Sequence, residues 1–199
     1  MDNTLVLVHG FMDTDRRMKF MARQLRDLGW KVLTPSLRSS NGSESIEVLA
    51  EQLNLFIEEN TIGSERIDLI GFSMGGLICR YYLQHLDCLY KTDNLITLST
   101  PHQGTISAYF FPGAGINQMR PNSSFLENLN LDTTQLQPIN FVSFYTPLDL
   151  VITPARSSVI KCARNYKVFS LFHPLMVSNK SLLRKMVIIL GNKRREMLV

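Results

Sequence analysis

Ile67-Asp68-Leu69-Ile70-Gly71-Phe72-Ser73-Met74-Gly75-Gly76 runs from a short aliphatic stretch through a glycine-framed serine into a helical pattern ending near Leu86. An unalternated aliphatic run of this length reads as a strand buried on both faces. A side chain at the tip of a sharp strand-to-helix turn strains the backbone, so the positions two before and two after it must be nearly free of side chains. Gly71 and Gly75 meet that demand, and Gly76 lets the helix approach the sheet closely. The turn also sets Ser73 at a helix N-terminus, where the dipole and free amides favour a developing negative charge.

Outward from this turn, strands alternate with helices. Thr4–Val8 is a β-branched and aliphatic run leading into His9-Gly10-Phe11. A helix follows with Met18, Met21, Ala22, Leu25 and Leu28 on one stripe, stopped at Gly29. Lys31–Thr34 is a second strand, and Ile46, Leu49, Ala50, Leu53, Phe56 and Ile57 mark the inward face of a second helix. Leu95–Leu98, Ile139–Tyr145 and Val168–Phe172 read as the fourth, fifth and sixth strands, before a closing helix presenting Leu182, Leu183, Met186, Val187 and Leu190. This rhythm predicts an α/β fold: a mostly parallel sheet of about six strands with helices on both faces. Ligands in such sheets bind at the carboxyl ends of the strands. From Pro101 to Pro138 the rhythm breaks into a Gly/Pro-interrupted segment with an aromatic knot, Tyr109-Phe110-Phe111, and one short helix, Ser123–Leu129. The expectation is a single domain over residues 1–199 with an insertion at about 101–138, read either as a binding surface or as a locally packed loop.

Composition narrows the class. The chain has 199 residues, 45% of them hydrophobic and 19% charged, enough to bury one core. Its longest apolar runs, such as Met186–Leu190, fall far short of the roughly 20 residues that span a bilayer. Cys79, Cys88 and Cys162 have neither paired spacing nor histidine partners at zinc-site intervals, so they read as structural thiols of a reducing compartment. Met1-Asp2-Asn3-Thr4 lacks a basic n-region, and Leu5–Val8 is too short for a signal h-region, which gives a cytoplasmic expectation.

A serine hydroxyl is a weak nucleophile, needing a base that a third group orients. Of four histidines, His173 directly follows the expected last strand at the carboxyl edge. His9 precedes the nucleophile in a His-Gly loop, His85 is mid-helix, and His102 lies in the insertion. Asp149 stands just after the fifth strand, whereas Asp132 lies in the insertion and Asp93 precedes a strand at the wrong edge. Ser73, Asp149 and His173 as catalytic residues run in the order Ser, Asp, His, unlike the orders of chymotrypsin and subtilisin. The backbone N–H groups of Met74 and Phe11 are the expected oxyanion donors.

Leu7-Val8-His9-Gly10-Phe11, Gly71-Phe72-Ser73-Met74-Gly75-Gly76 and Ser99-Thr100-Pro101-His102-Gln103-Gly104-Thr105 resemble the α/β-hydrolase superfamily, specifically its small bacterial triacylglycerol lipase and esterase branch. Gln118–Leu126 is similar to a segment of that branch as well. The resemblance implies a serine hydrolase cleaving carboxylic esters of small-molecule or lipid type through an acyl-enzyme on Ser73, with no cofactor and no metal. The extra antiparallel strands and the large cap of bigger relatives are missing, which implies an open site. Thioester cleavage or acyl transfer uses the same residues and stays open, as does a binding protein that kept the fold without turnover. A dehalogenase would need a carboxylate at position 73.

The net charge of +4 is unevenly distributed. Residues 150–199 carry ten basic side chains against Glu196, a local +9, leaving −5 for the rest. Without interleaved aromatic and basic residues the charge is no sign of a nucleic-acid partner. It reads as a solvated basic face, or as an edge, including Lys193, Arg194 and Arg195, that meets an anionic membrane. Tyr109, Phe110, Phe111, Ile116, Met119 and Leu148 are candidate walls of an acyl groove or ordinary core. Acyl length and oligomeric state leave no mark in the sequence.

Overall fold

The computed structural model describes residues 3–62 and 65–191. Lys193, Arg194 and Arg195 lie outside the described residues. Six strands form one sheet: β1 (Thr4–Val8), β2 (Val32–Leu33), β3 (Ile67–Phe72), β4 (Thr92–Leu98), β5 (Asn140–Tyr145) and β6 (Arg164–Lys167). Their order is 2-1-3-4-5-6, and every neighbouring pair is parallel. The strand order reverses between β1 and β3, so the crevice at their carboxyl ends is the topological switch point where such sheets bind ligands.

Helices cover both faces because the central strands are apolar on both. Val6, Val8, Ile67 and Leu69 pack with α2 (Ile46–Asn60) and α3 (Met74–His85), while Leu5, Leu7, Ile70 and Phe72 pack with α1 (Asp15–Asp27) and α6 (Lys180–Ile189). Side-chain caps start the helices: the Thr14 hydroxyl accepts from Arg16 N, Ser45 from Val48 N and Asn179 from Leu182 N. No helix among the described residues is long and apolar enough to cross a membrane.

Two expectations change in detail. The sixth strand is Arg164–Lys167, not Val168–Phe172, although Val168 N still donates to Tyr145 O at 2.9 Å. An edge strand faces solvent, so β6 is polar and carries no apolar run. The aromatic residues after it, Phe169 and Phe172, are exposed on a loop, and His173 opens a 3-10 turn, His173–Ser178. The segment 101–138 holds more than one helix. A 3-10 turn at Ile106–Phe110, α4 (Ala114–Gln118), α5 (Ser124–Leu131) and a second 3-10 turn at Thr134–Leu136 run through it.

Candidate active site

Ser73 leaves β3 with φ 54° and ψ −123°, and Met74 begins α3. For a residue with a Cβ this backbone costs about 1–3 kcal/mol and persists only where packing imposes it. The packing is close enough to do so. A Cβ on Gly71 would stand 2.5 Å from Gly76 Cα, and one on Gly75 would stand 2.5 Å from the His9 and Val8 carbonyl oxygens. A Cβ on Gly76 would collide with the Thr100 side chain. Ser73 N donates to Leu98 O at 2.8 Å, tying the turn to the next strand.

The loop after β1 abuts this turn: a Cβ on Gly10 would lie 2.9 Å from Ser73 Cβ. Among the described residues neither the Phe11 nor the Met74 amide donates to another protein group. His9 fixes this loop. Its Nδ1–H donates to Gly10 O at 3.0 Å, and its Nε2 accepts from Leu37 N at 3.0 Å. Burial pushes its pKa down, so the neutral ring that this pattern needs is the stable form.

His173 and Asp149 meet on the other side. Nδ1–H of His173 donates to Asp149 Oδ2 at 2.8 Å, and Asp149 Oδ1 accepts from Val151 N at 3.0 Å and Ile152 N at 2.9 Å. Burial alone would raise the Asp149 pKa, but the bond and charge of His173 and the Ile152 amide together hold it below its ordinary value. With Nδ1 committed to the carboxylate, Nε2 is the nitrogen left for a hydroxyl. The imidazole lies on Phe72, the residue before Ser73, with ring centroids 4.8 Å apart.

The competing residues sit elsewhere. Asp93 pairs with Arg66 and Asn3 at the amino edge of the sheet, and Asp132 accepts from Thr134 at the end of α5. His85 stacks on Tyr81. His102 is fully buried, with Nε2 3.1 Å from Thr97 Oγ1 and Nδ1 3.5 Å from an Arg80 guanidinium nitrogen.

Arg80, which no motif of the sequence marks, is fully buried on α3 behind the nucleophile turn. It donates to Leu129 O at 2.7 Å, Asn130 Oδ1 at 2.9 Å and Gln84 Oε1 at 3.2 Å, while Asn130 donates to His102 O at 2.9 Å. Burial against neutral acceptors lowers its pKa to about 10. The network fastens α5 and the His102 turn to α3. Its one local signal is an arginine within the apolar pattern Leu77-Ile78-Cys79-Arg80-Tyr81-Tyr82-Leu83.

A pocket of about 60 Å³ opens beside Ser73, lined mainly by Phe11, Ala108, Phe111, Ile116, Met119 and Ile152. Of the expected groove walls, Phe111, Ile116 and Met119 line it, whereas Tyr109, Phe110 and Leu148 do not, and Tyr109 lines a separate groove with Ile106, Pro121 and Pro154. The rim is apolar. Most of the exposed large apolar side chains among the described residues lie in the connections that follow the carboxyl ends of strands.

The chain resembles known proteins in sequence and in fold. Lysosomal thioesterase PPT2 of Mus musculus is 29% identical over 104 residues, 50% of this chain and 34% of that protein. The Homo sapiens protein of the same name is 28% identical over the same shares. The chain thus spans about a third of the length of these curated relatives. Among solved structures, Bacillus licheniformis lipase BlEst2 in mature form superposes with a TM-score of 0.77 at 14% identity, over 94% of this chain and 92% of that one. Aspergillus fumigatus lipase B superposes with a TM-score of 0.78 at 14% identity, over 96% and 53%. At such identity the likeness shows the α/β-hydrolase fold alone. The sequence model of palmitoyl protein thioesterase matches residues 4–131, more than half of the chain, and includes Ser73, Phe11 and Met74 but neither Asp149 nor His173. On that match the chain belongs to the palmitoyl protein thioesterase family, carried on an α/β-hydrolase fold.

Proposed function

We propose that the protein is a serine hydrolase that cleaves acyl esters and thioesters through an acyl-enzyme on Ser73. One observation carries the reading: a buried His173–Asp149 pair at 2.8 Å whose imidazole lies on Phe72, the residue before a serine held in a strained strand-to-helix turn. In this mechanism His173 Nε2 takes the Ser73 proton as Oγ attacks the carbonyl carbon. The Phe11 and Met74 amides hold the resulting oxyanion, each such donor being worth about 3 kcal/mol of barrier. His173 returns the proton to the leaving oxygen or sulfur, and water, deprotonated by the same nitrogen, releases the acid and regenerates Ser73. Asp149 fixes the imidazole tautomer and stabilises its cation.

Family membership supports the thioester side of the reading, and the same machinery serves the oxyester. Purified protein should hydrolyse both p-nitrophenyl butyrate and a butyryl thioester, and Ser73→Ala should lower each rate by roughly 10⁵-fold or more. Turnover retained by Ser73→Ala would remove Ser73 from the reaction.

The apolar rim supports a substrate met at a lipid surface, and residues 150–191 carry seven basic side chains and no acidic one. Binding to anionic vesicles that weakens with salt is the expected outcome. Salt-independent binding, or none, would count against membrane contact. Free Cys79, Cys88 and Cys162 support a cytoplasmic working place, which cell fractionation tests.

A further inference from the structure

The general acid must reach the leaving oxygen or sulfur, so the leaving group lies on the His173 side of Ser73. The acyl group then lies opposite, on the Phe11 side, in the pocket of about 60 Å³. A dry cavity of roughly 150 Å³ accepts a benzene ring, so this pocket takes about two to four acyl carbons. A palmitoyl chain would need on the order of 400 Å³ on the same scale.

Ile116 and Met119, 1% and 5% exposed, are the lining side chains that α4 and the residue after it contribute. A Cβ on Gly42 would stand 2.5 Å from Ile116 Cγ1, so the loop carrying Gly42 presses directly on that side chain. Gly115 N donates to Gly42 O at 3.1 Å and Glu44 O at 3.0 Å, and Thr105 N donates to Met119 O at 2.8 Å. These bonds pin α4 from both sides. The Phe11 and Phe111 rings meet edge to face at 5.7 Å along the flank.

We infer that the substrates are short-acyl esters or thioesters, with Ile116 and Met119 as the specificity-determining residues that stop the chain after about four carbons. This inference rests on the proposed role of Ser73. It departs from the long acyl chain in the family's name, because the limit comes from α4 and the turn after it and not from the nucleophile turn.

The test is a series of p-nitrophenyl esters from acetate to palmitate, each below its micelle concentration, paired with labelling by ethyl and hexadecyl fluorophosphonates. The wild-type kcat/KM should peak at acetate to butyrate and fall at least about tenfold by octanoate, with the ethyl probe reacting much faster than the hexadecyl one. Met119→Ala should raise the octanoate-to-butyrate ratio by about tenfold, and Ile116→Val should move it the same way by a smaller factor. Truncating buried side chains destabilises a fold, but a ratio of two substrates cancels any loss of folded protein. Labelling by the ethyl probe together with an octanoate rate equal to or above butyrate, or with a ratio unmoved in both variants, overturns the inference while the serine-hydrolase reading stands. Labelling by neither probe overturns both.

Discussion

The serine turn and the histidine loop meet at one edge of the sheet but are built by different means. Around Ser73 the backbone itself is the constraint: Gly71, Gly75 and Gly10 leave no space for a Cβ, and Ser73 N is bonded to the neighbouring strand. Around His173 side chains hold the position. Thr146 Oγ1 donates to Ser170 O at 3.0 Å and accepts from Ser170 N at 3.2 Å, Asn179 Nδ2 donates to Phe169 O at 2.8 Å, and His173 rests on Asp149. A backbone-built turn tolerates almost no substitution in its glycines, whereas a loop pinned by separate hydrogen bonds loses them one at a time.

Substitutions on the two sides should therefore fail differently. Asp149→Asn leaves the shape intact but favours the wrong imidazole tautomer, so kcat should drop about 10⁴-fold while the melting temperature at neutral pH falls modestly. A loss of only a few fold would mean that Asp149 does not orient the base. Gly71→Ala forces a Cβ against Gly76 Cα and should destabilise the protein by about 3 kcal/mol or more in urea unfolding, taking activity with it. A variant as stable as wild type would contradict the packing described for the turn.

Thr146→Val removes a hydroxyl bonded to both backbone groups of Ser170. It should cost about 1–3 kcal/mol of stability while Ser73 remains reactive. The smallest effect is with pH. The Asp149 carboxyl is held below its ordinary value in the folded protein, so at acid pH the unfolded chain binds more protons. The stability it contributes is complete above the ordinary carboxylate range near about 4 and is lost as pH falls through the lower folded value. The melting-temperature gap between wild type and Asp149→Asn should close over that acid range, and a gap that widened would reverse the sign.

The same contrast explains what could be read from the sequence. A turn limited by sterics leaves glycines at fixed offsets, so the strand, Gly71-Phe72-Ser73-Met74-Gly75-Gly76 and α3 were legible together, as was the parallel sheet. The sixth strand was not, because an edge strand needs no apolar run: Arg164-Asn165-Tyr166-Lys167 looks like loop, and Val168–Phe172, which is loop, looks like strand. His173 therefore lies several residues beyond the end of β6 instead of directly after a strand. The Arg80–Asn130–His102 network joins residues 22 to 50 positions apart and has no local period to betray it. Ile116 and Met119 read equally as groove or core in the sequence, and they are both: buried in the cluster under α2 and α3, and lining the pocket at Ser73.

Peptide mapping after reaction with an ethyl fluorophosphonate identifies the nucleophile of the protein. One phosphonylated residue, Ser73, is expected, with no labelling in Ser73→Ala and labelling slowed at least about 100-fold in His173→Ala. A label on any other residue, or a wild-type rate in His173→Ala, would contradict this assignment.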